Sequence, residues 1–398
     1  MAGPLHGVTV IEFAGIGPGP FACMMLADMG AQVIRIDRVP TGENRAVDTL
    51  TRNDGIVDRG RRSVALNLKD GRGVEAVLRL VASADILVEG FRPGVAEKLG
   101  FGPDVCHARN AKLIYGRMTG WGQTGPLAHA AGHDINYISL SGALYAMGSL
   151  DRPPSPPLNL VGDYGGGGML LALGTVSALY EARKSGIGQV VDAAMSDGTA
   201  TLMAMMYSLR AKGQWRDRRE TNFVDGSAHF YAVYECADGK YVSVGAIEPQ
   251  FYRKLLEACA IDDAHFQQQW AVEDWPRLKK KLGAVFRTRT RDEWCQLLEG
   301  SDACFAPVLD MTEAPFHRHN VARGTFVESG GVIQPAPAPQ FSRTPSEVPP
   351  PAPLAGRDSL QLLKEVGYND DELAAMSRDA VVYQQTAGNG GSQAARIV

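Results

Sequence analysis

Apolar and polar positions follow two periods along the first third of the chain. Residues 8–13 form a short apolar run. Residues 21–29 carry apolar side chains at helical spacing and stop at Gly30, and 32–37 form a second apolar run. Helical spacing then returns over 74–84, with strand patterns over 85–88 and 112–115. Near-continuous apolar strands separated by amphipathic helices predict βαβ units and a parallel sheet covered on both faces. Gly30 suits a helix C-cap because glycine enters the left-handed region without a side-chain clash. Four glycines at 165–168 precede a long helical pattern over 169–184, and 189–194 reads as a strand. Residues 199–212 are helical and rich in Met, read as core packing first and as an adaptable substrate surface second.

The pattern changes near Thr221. Strand runs over 230–236 and 241–245 are joined by Ala237-Asp238-Gly239-Lys240, a hairpin signature with Asp-Gly in the turn. Helical patterns follow over 251–259, 275–286 and 291–298. The expected organisation is a Rossmann-like α/β large domain over 1–215 and a smaller α+β domain over 221–310. A proline-rich return linker follows over 311–353, extended because proline fixes the backbone. Residues 330–380, with short helices at 359–366 and 370–376, are expected to complete the large domain, and 381–398 reads as a flexible tail.

Composition narrows the function classes. With 398 residues the chain is long enough for two or three domains. A 45% hydrophobic and 21% charged composition is that of a soluble globular protein. A net charge of −4 excludes a general nucleic-acid binder, so any anion site must use a few placed cations. The six cysteines include no C-x-x-C pair, which argues against a zinc ribbon or disulfide framework and fits a reducing compartment. No apolar run reaches membrane length and the first residues lack a basic leader, so no membrane partner and a cytoplasmic location are expected.

Five features carry candidate chemistry. The turn Ala14-Gly15-Ile16-Gly17-Pro18-Gly19-Pro20 joins the first strand to the first helix, where backbone N–H groups can approach a phosphate. Its prolines remove two donors and the G-x-G-x-x-G fingerprint is not met, which disfavours a nicotinamide or flavin. Arg38, Arg59, Lys69, Arg92 and Lys98 stand at strand ends and helix starts, where converging cations can grip a nucleotide's phosphates; individually they also read as surface charge. His133, in Gly132-His133-Asp134-Ile135-Asn136-Tyr137, follows a glycine-rich loop, and an imidazole exchanges protons near neutral pH. Asp163 stands directly before the four glycines: it is either the N-cap of the following helix or a carboxylate beside free backbone N–H groups that can bind an oxyanion. Glu248, between a strand and a helix, is either a first-turn carboxylate or the group that orients a histidine.

At these residues the sequence resembles the α-methylacyl-CoA racemases, within the family III CoA-transferase (CaiB/BaiF-like) group. The matching segments include MAGPLHGVTVIEFAGIGPGPFA, DRGRRSVALNLK, ADILVEGFRPGVAEKLG, RMTGWGQTGP, AGHDINYISLSG, PLNLVGDYGGGGM and ADGKYVSVGAIEPQFY, and the likeness runs to about Asp310. The resemblance implies that His133 and Asp163 are the catalytic bases and that Glu248 is the histidine's partner. It implies coenzyme A contacts at Arg38, Leu66, Asn67, Leu68, Lys69, Gly90, Phe91, Arg92, Lys98, Gly132, Asp134, Ile135, Asn136 and Tyr137, to which the cation reading adds Arg59. It also implies an interlocked homodimer with shared active sites, a 2-methylacyl-CoA substrate, and no added cofactor or metal. The sequence departs from the family pattern at Asn67, at Gly356-Arg357-Asp358-Ser359, and at Ser227 and His229.

The expected reaction is 1,1-proton transfer at the α-carbon of the thioester through an enolate. The competing readings are a family III CoA transferase that uses Asp163 as nucleophile, and a non-catalytic acyl-CoA binder.

Overall fold

The computed structural model describes residues 3–40 and 55–385. The apolar runs of the first half become β1 (Thr9–Phe13), β2 (Gln32–Arg38), β3 (Arg61–Leu66), β4 (Ile86–Glu89), β5 (Ile114–Thr119) and β6 (Val190–Ala194). They form one parallel sheet in the order β3-β2-β1-β4-β5-β6. The chain turns from β1 to β2 on one side and reaches β4 on the other. The loops that follow β1 and β4 therefore diverge and leave a crevice at the carboxyl ends of the strands, where open α/β sheets hold ligands.

The sheet has a further strand that the sequence pattern did not suggest. Val382–Tyr383 pairs antiparallel with Leu66 and Ala65 of β3, and the Asn67 N–H donates to the Val381 carbonyl at 2.8 Å. The expected tail therefore begins as structure, because an uncovered β3 edge would leave its backbone groups unpaired. Residues 386–398 lie outside the described residues.

One face of this sheet is charged yet buried. Glu12, Arg35, Asp37, Arg61 and Ser63 are each at most 4% exposed. Arg61 Nε donates to Glu12 at 2.9 Å, and Arg35 Nε donates to Asp37 at 3.0 Å. The returning C-terminal segment joins this layer: Arg35 donates to the Pro353 carbonyl at 3.2 Å, and the Ser63 N–H donates to Asp358 at 2.8 Å. Pairing of this kind offsets the cost of burying the charges, so the layer fixes where the return segment crosses the sheet.

The described residues cluster into two compact units, one drawn from those within 3–141, 158–202 and 326–385, the other of Gly142–Pro157 and Met203–Thr325. The expected single helix over 199–212 is two helices, Met195–Leu202 and Ala204–Ala211, and the break at Met203, where ψ opens to 4°, coincides with the change of unit. No residue of Ala204–Ala211 is buried, so core packing does not explain the methionines there.

The second unit has a three-stranded antiparallel sheet: the expected hairpin, Tyr231–Glu235 with Tyr241–Gly245, plus Phe305–Val308. Helices Pro249–Ala258, Trp275–Phe286 and Arg291–Leu298 cover it, and Phe230, Phe286 and Trp294 lie fully buried in its core. No helix among the described residues is long and apolar enough to cross a membrane.

Candidate active site

The segment around Asp163 is not the turn that the sequence suggested. Leu160–Met169 is a π-helix that runs without interruption into the α-helix Leu170–Ser185. The Tyr164 N–H donates to the Asn159 carbonyl five residues back, at 3.3 Å. Asp163 therefore does not cap the long helix, and its own N–H is not free: it donates to Asp134 Oδ2 at 2.6 Å. The expected oxyanion site at the start of the long helix is lost for the same reason.

The glycines explain why a wide helix forms here. A side-chain carbon at Gly166 would meet the Thr199 N–H nitrogen at 2.7 Å, one at Gly167 the Met195 side chain at 2.8 Å, and one at Gly168 the Phe21 ring at 2.7 Å. The π-helix is thus pressed between the helices Pro18–Asp28 and Met195–Leu202, and only glycine fits. Such helices concentrate at functional sites because their irregular backbone re-aims side chains.

Asp163 ends up against the turn after β1. A side-chain carbon at Gly17, whose φ is +72°, would stand 3.1 Å from Asp163 Oδ2. The same oxygen accepts from Asn159 Nδ2 at 3.2 Å. Burial holds the Asp163 carboxyl above the usual aspartate range, and the charge of Asp134 adds to this; the Asn159 hydrogen bond and the charge of His133 oppose it. His133 and Asp163 therefore stand within electrostatic reach of each other.

His133 is exposed and occupies the N-cap of the helix Asp134–Leu140. Asn136 Oδ1 accepts its backbone N–H at 3.0 Å, which pins the start of the helix. Tyr137, one turn in, is 7% exposed, and its hydroxyl donates to the Gly132 carbonyl. Its ring fills the space that side chains at Gly120 and Gly132 would need, and it meets Trp121 edge-on at 4.8 Å. The glycines of this loop thus make room for the ring that supports the histidine's helix. Ile135 is exposed beside it.

The other expected contacts divide into two groups. Arg38, Lys69, Gly90, Arg92 and Lys98 are exposed. Arg38, Lys69, Gly90 and Arg92 lie at or just beyond the carboxyl ends of β2, β3 and β4, so the strand order sets them along one edge of the sheet. Asn67 Oδ1 accepts the Lys69 N–H at 3.1 Å and shapes the turn after β3. Leu68 is half-buried against the core, and Leu66 is buried in it, paired with Arg38 on one side and Val382 on the other. Phe91 packs edge-on against Phe13 at 5.4 Å, and its N–H donates to Glu89 at 2.6 Å. Burial pushes the Glu89 carboxyl up to about 7.

Two expectations fail on geometry. Arg59 is 2% exposed, with Nε on Asp28 Oδ1 at 2.9 Å, Nη2 on Asp28 Oδ2 at 2.5 Å, and Nη1 on Gln334 and the Pro335 carbonyl at 2.9 and 2.8 Å. Its guanidinium holds the return segment, with four of its five N–H donors taken and the group buried away from any solvent-borne phosphate. Asp134 is 6% exposed and turns inward to Asp163, away from any solvent-borne ligand. Glu248 belongs to the second unit, exposed at the N-cap of Pro249–Ala258. Asn159, which shapes the surroundings of Asp163, had no role assigned from sequence, and Gly17 was read only as part of a turn that could approach a phosphate.

The pattern of CoA-transferase family III matches residues 5–359. The chain belongs to that family. This family III chain is 44% identical to the alpha-methylacyl-CoA racemase of Mus musculus over 382 residues, 95% of this chain and 97% of that protein. It is 41% identical to the alpha-methylacyl-CoA racemase of Homo sapiens over 381 residues, again 95% and 97%. Among solved structures, a CAIB/BAIF family protein from Brucella suis is similar with a TM-score of 0.80 at 25% identity, covering 92% of this chain and 100% of that one.

Proposed function

We propose that this protein interconverts the (2R) and (2S) epimers of 2-methylacyl-CoA thioesters. What supports this reading is the electrostatic influence of His133 on Asp163, a carboxyl group held above its ordinary range chiefly by burial. In one direction the Asp163 carboxylate takes the α-proton and becomes a carboxylic acid. The His133 imidazolium then gives its proton to the opposite face of the enolate and becomes imidazole. The reverse direction exchanges the two roles, so no proton is gained or lost overall.

The enolate oxygen needs donors at the moment of charge development. The N–H groups of Asp134 and Ile135 open the helix at His133, where the first turn leaves donors without intrahelical partners, and we assign them this part. Glu248 is assigned the orienting of His133. Arg38, Lys69, Arg92 and Lys98 are assigned the phosphates of coenzyme A, with the turns at Asn67 and Gly90 shaping the edge they occupy. No separate cofactor enters the scheme. We further propose a homodimer, supported by large apolar side chains left exposed on the first unit: Met169, Leu173, Tyr180 and Ile187 are each more than half exposed. All six thiols are free, which supports a reducing compartment, assigned here as the cytoplasm.

The test is incubation with a single epimer of a 2-methylacyl-CoA in deuterated water. α-Deuterium and the second epimer are expected together, and His133→Ala and Asp163→Asn each lower the rate by about 10²–10⁴-fold while the CoA ester still binds. Absence of both deuterium and epimer, with CoA passing instead to an added carboxylic acid, would replace this reading with a nucleophilic transferase.

A further inference from the structure

The carboxyl group of Asp134 has three unusual features. It is buried beside another carboxyl group, it accepts the main-chain N–H of Asp163 at 2.6 Å, and its second oxygen, Oδ1, is buried without a hydrogen-bond partner among the described residues. The fold makes room for it: a side-chain carbon at Gly162 would stand 2.5 Å from Asp134 Oδ2. An acceptor was needed for one N–H, and an asparagine would have met that need without burying a charge. What an aspartate adds is negative charge next to Asp163.

We propose that Asp134 is a positioning residue: its carboxylate seats the main chain under Asp163 and sets a second negative charge beside the catalytic carboxyl group. This rests on the racemase reading of the site. A racemase base must be competent in both forms, because each serves one direction of the reaction. An ordinary exposed aspartate is nearly always ionised at neutral pH, whereas a like-charge neighbour in a partly desolvated site favours the protonated form. The direction of the Asp163 perturbation agrees, with burial as its largest cause and Asp134 adding to it.

The groups around Asp163 are few. Asp134, His133 and Tyr137 come from the segment that begins at His133, and Arg92 acts on Tyr137 from beyond β4. Asn159 and Tyr164 are local to the π-helix. The packed helices Pro18–Asp28 and Met195–Leu202 bring Pro18, Phe21, Met195 and Thr199 against it, none of them charged. Of these groups, Asp134 is the one that pushes the Asp163 carboxyl upward by charge.

The experiment compares α-deuterium exchange across pH for the wild type, Asp134→Asn and Asp134→Ala. Asp134→Asn keeps an acceptor for the Asp163 N–H and loses the charge. Its acidic limb of kcat/KM is expected to move down by about one pH unit, while Asp134→Ala also loses activity at every pH. An Asp134→Asn limb that stays where the wild type has it overturns the proposal. A second measurement needs no Asp134 variant: the infrared carboxyl band of the ligand-free wild type that Asp163→Asn removes. Its midpoint should lie above the ordinary aspartate value of about 3.9, and a midpoint at or below that value overturns the proposal. If the wild type exchanges no deuterium at all, the racemase reading fails, and the infrared band still decides the state of Asp163.

Discussion

Gly17 and Asp163 meet across the mouth of the sheet. The turn after β1 brings a glycine with φ of +72° so close to the carboxylate that an added methyl carbon would lie 3.1 Å from Oδ2. The glycine-rich turn is thus shaped less for a nucleotide's phosphates than for the approach of a carboxyl group carried on another element.

Replacing Gly17 by alanine forces the strained left-handed conformation and pushes the Asp163 carboxylate aside. A stability loss of about 1–2 kcal/mol is expected, measured by denaturant unfolding. If Asp163 is the base proposed above, misplacing it should lower kcat on the order of a hundredfold with little change in CoA-ester binding. Full activity in Gly17→Ala would show that the contact has no part in placing the carboxylate.

The π-helix makes a stability prediction. A side-chain carbon at Gly198 would fall onto the Gly166 carbonyl, so Gly198→Ala is expected to cost about 3 kcal/mol through forced separation of the two helices. Gly19→Ala has nothing within 4 Å of the new carbon, and it should change stability far less, because any gain in helix propensity is offset by the following Pro20. Equal melting temperatures for the two variants would contradict this packing.

Two arginines of the expected phosphate set should behave differently. Arg59→Ala leaves the Asp28 carboxylate buried and unpaired and is expected to cost about 3–5 kcal/mol, with the KM of the enzyme that remains folded unchanged. Arg92→Ala should fold normally and raise KM for acyl-CoA about tenfold with kcat intact, the mark of lost uniform binding. The reverse pattern in the unfolding and kinetic data would return Arg59 to the binding edge.

His229 supplies a pH dependence in the second unit. Its ring is fully buried, Nε2 meets the Tyr252 hydroxyl at 2.6 Å, and burial lowers its pKa to about 4. The unfolded chain has an ordinary histidine near 6.5 and binds the proton first as pH falls. The stability contributed by this neutral ring is complete above about 6.5 and declines from there to about 4. Urea unfolding across that window should be steeper in pH for the wild type than for His229→Phe, and identical slopes would refute it.

Much of this architecture was legible in the sequence. Trp275–Phe286 and Arg291–Leu298 fall where helical periodicity put them, and the hairpin with Asp-Gly in its turn formed as read, because these patterns act between near neighbours in the chain. The motifs around His133 and Asp163 were equally visible as residue types. Their arrangement was not. Arg59 looked like a free cation because its partners, Gln334 and the Pro335 carbonyl, lie about 275 positions away. Val382–Tyr383 looked like a tail because strand pairing with β3 depends on an edge the local sequence cannot display. Asp163 looked like a helix cap because nothing local reveals that two other helices press on the glycines beside it. Periodicity determined which segments became helices and strands and which residues were available for chemistry. Packing between distant segments decided which charges were buried and which carboxyl groups became neighbours.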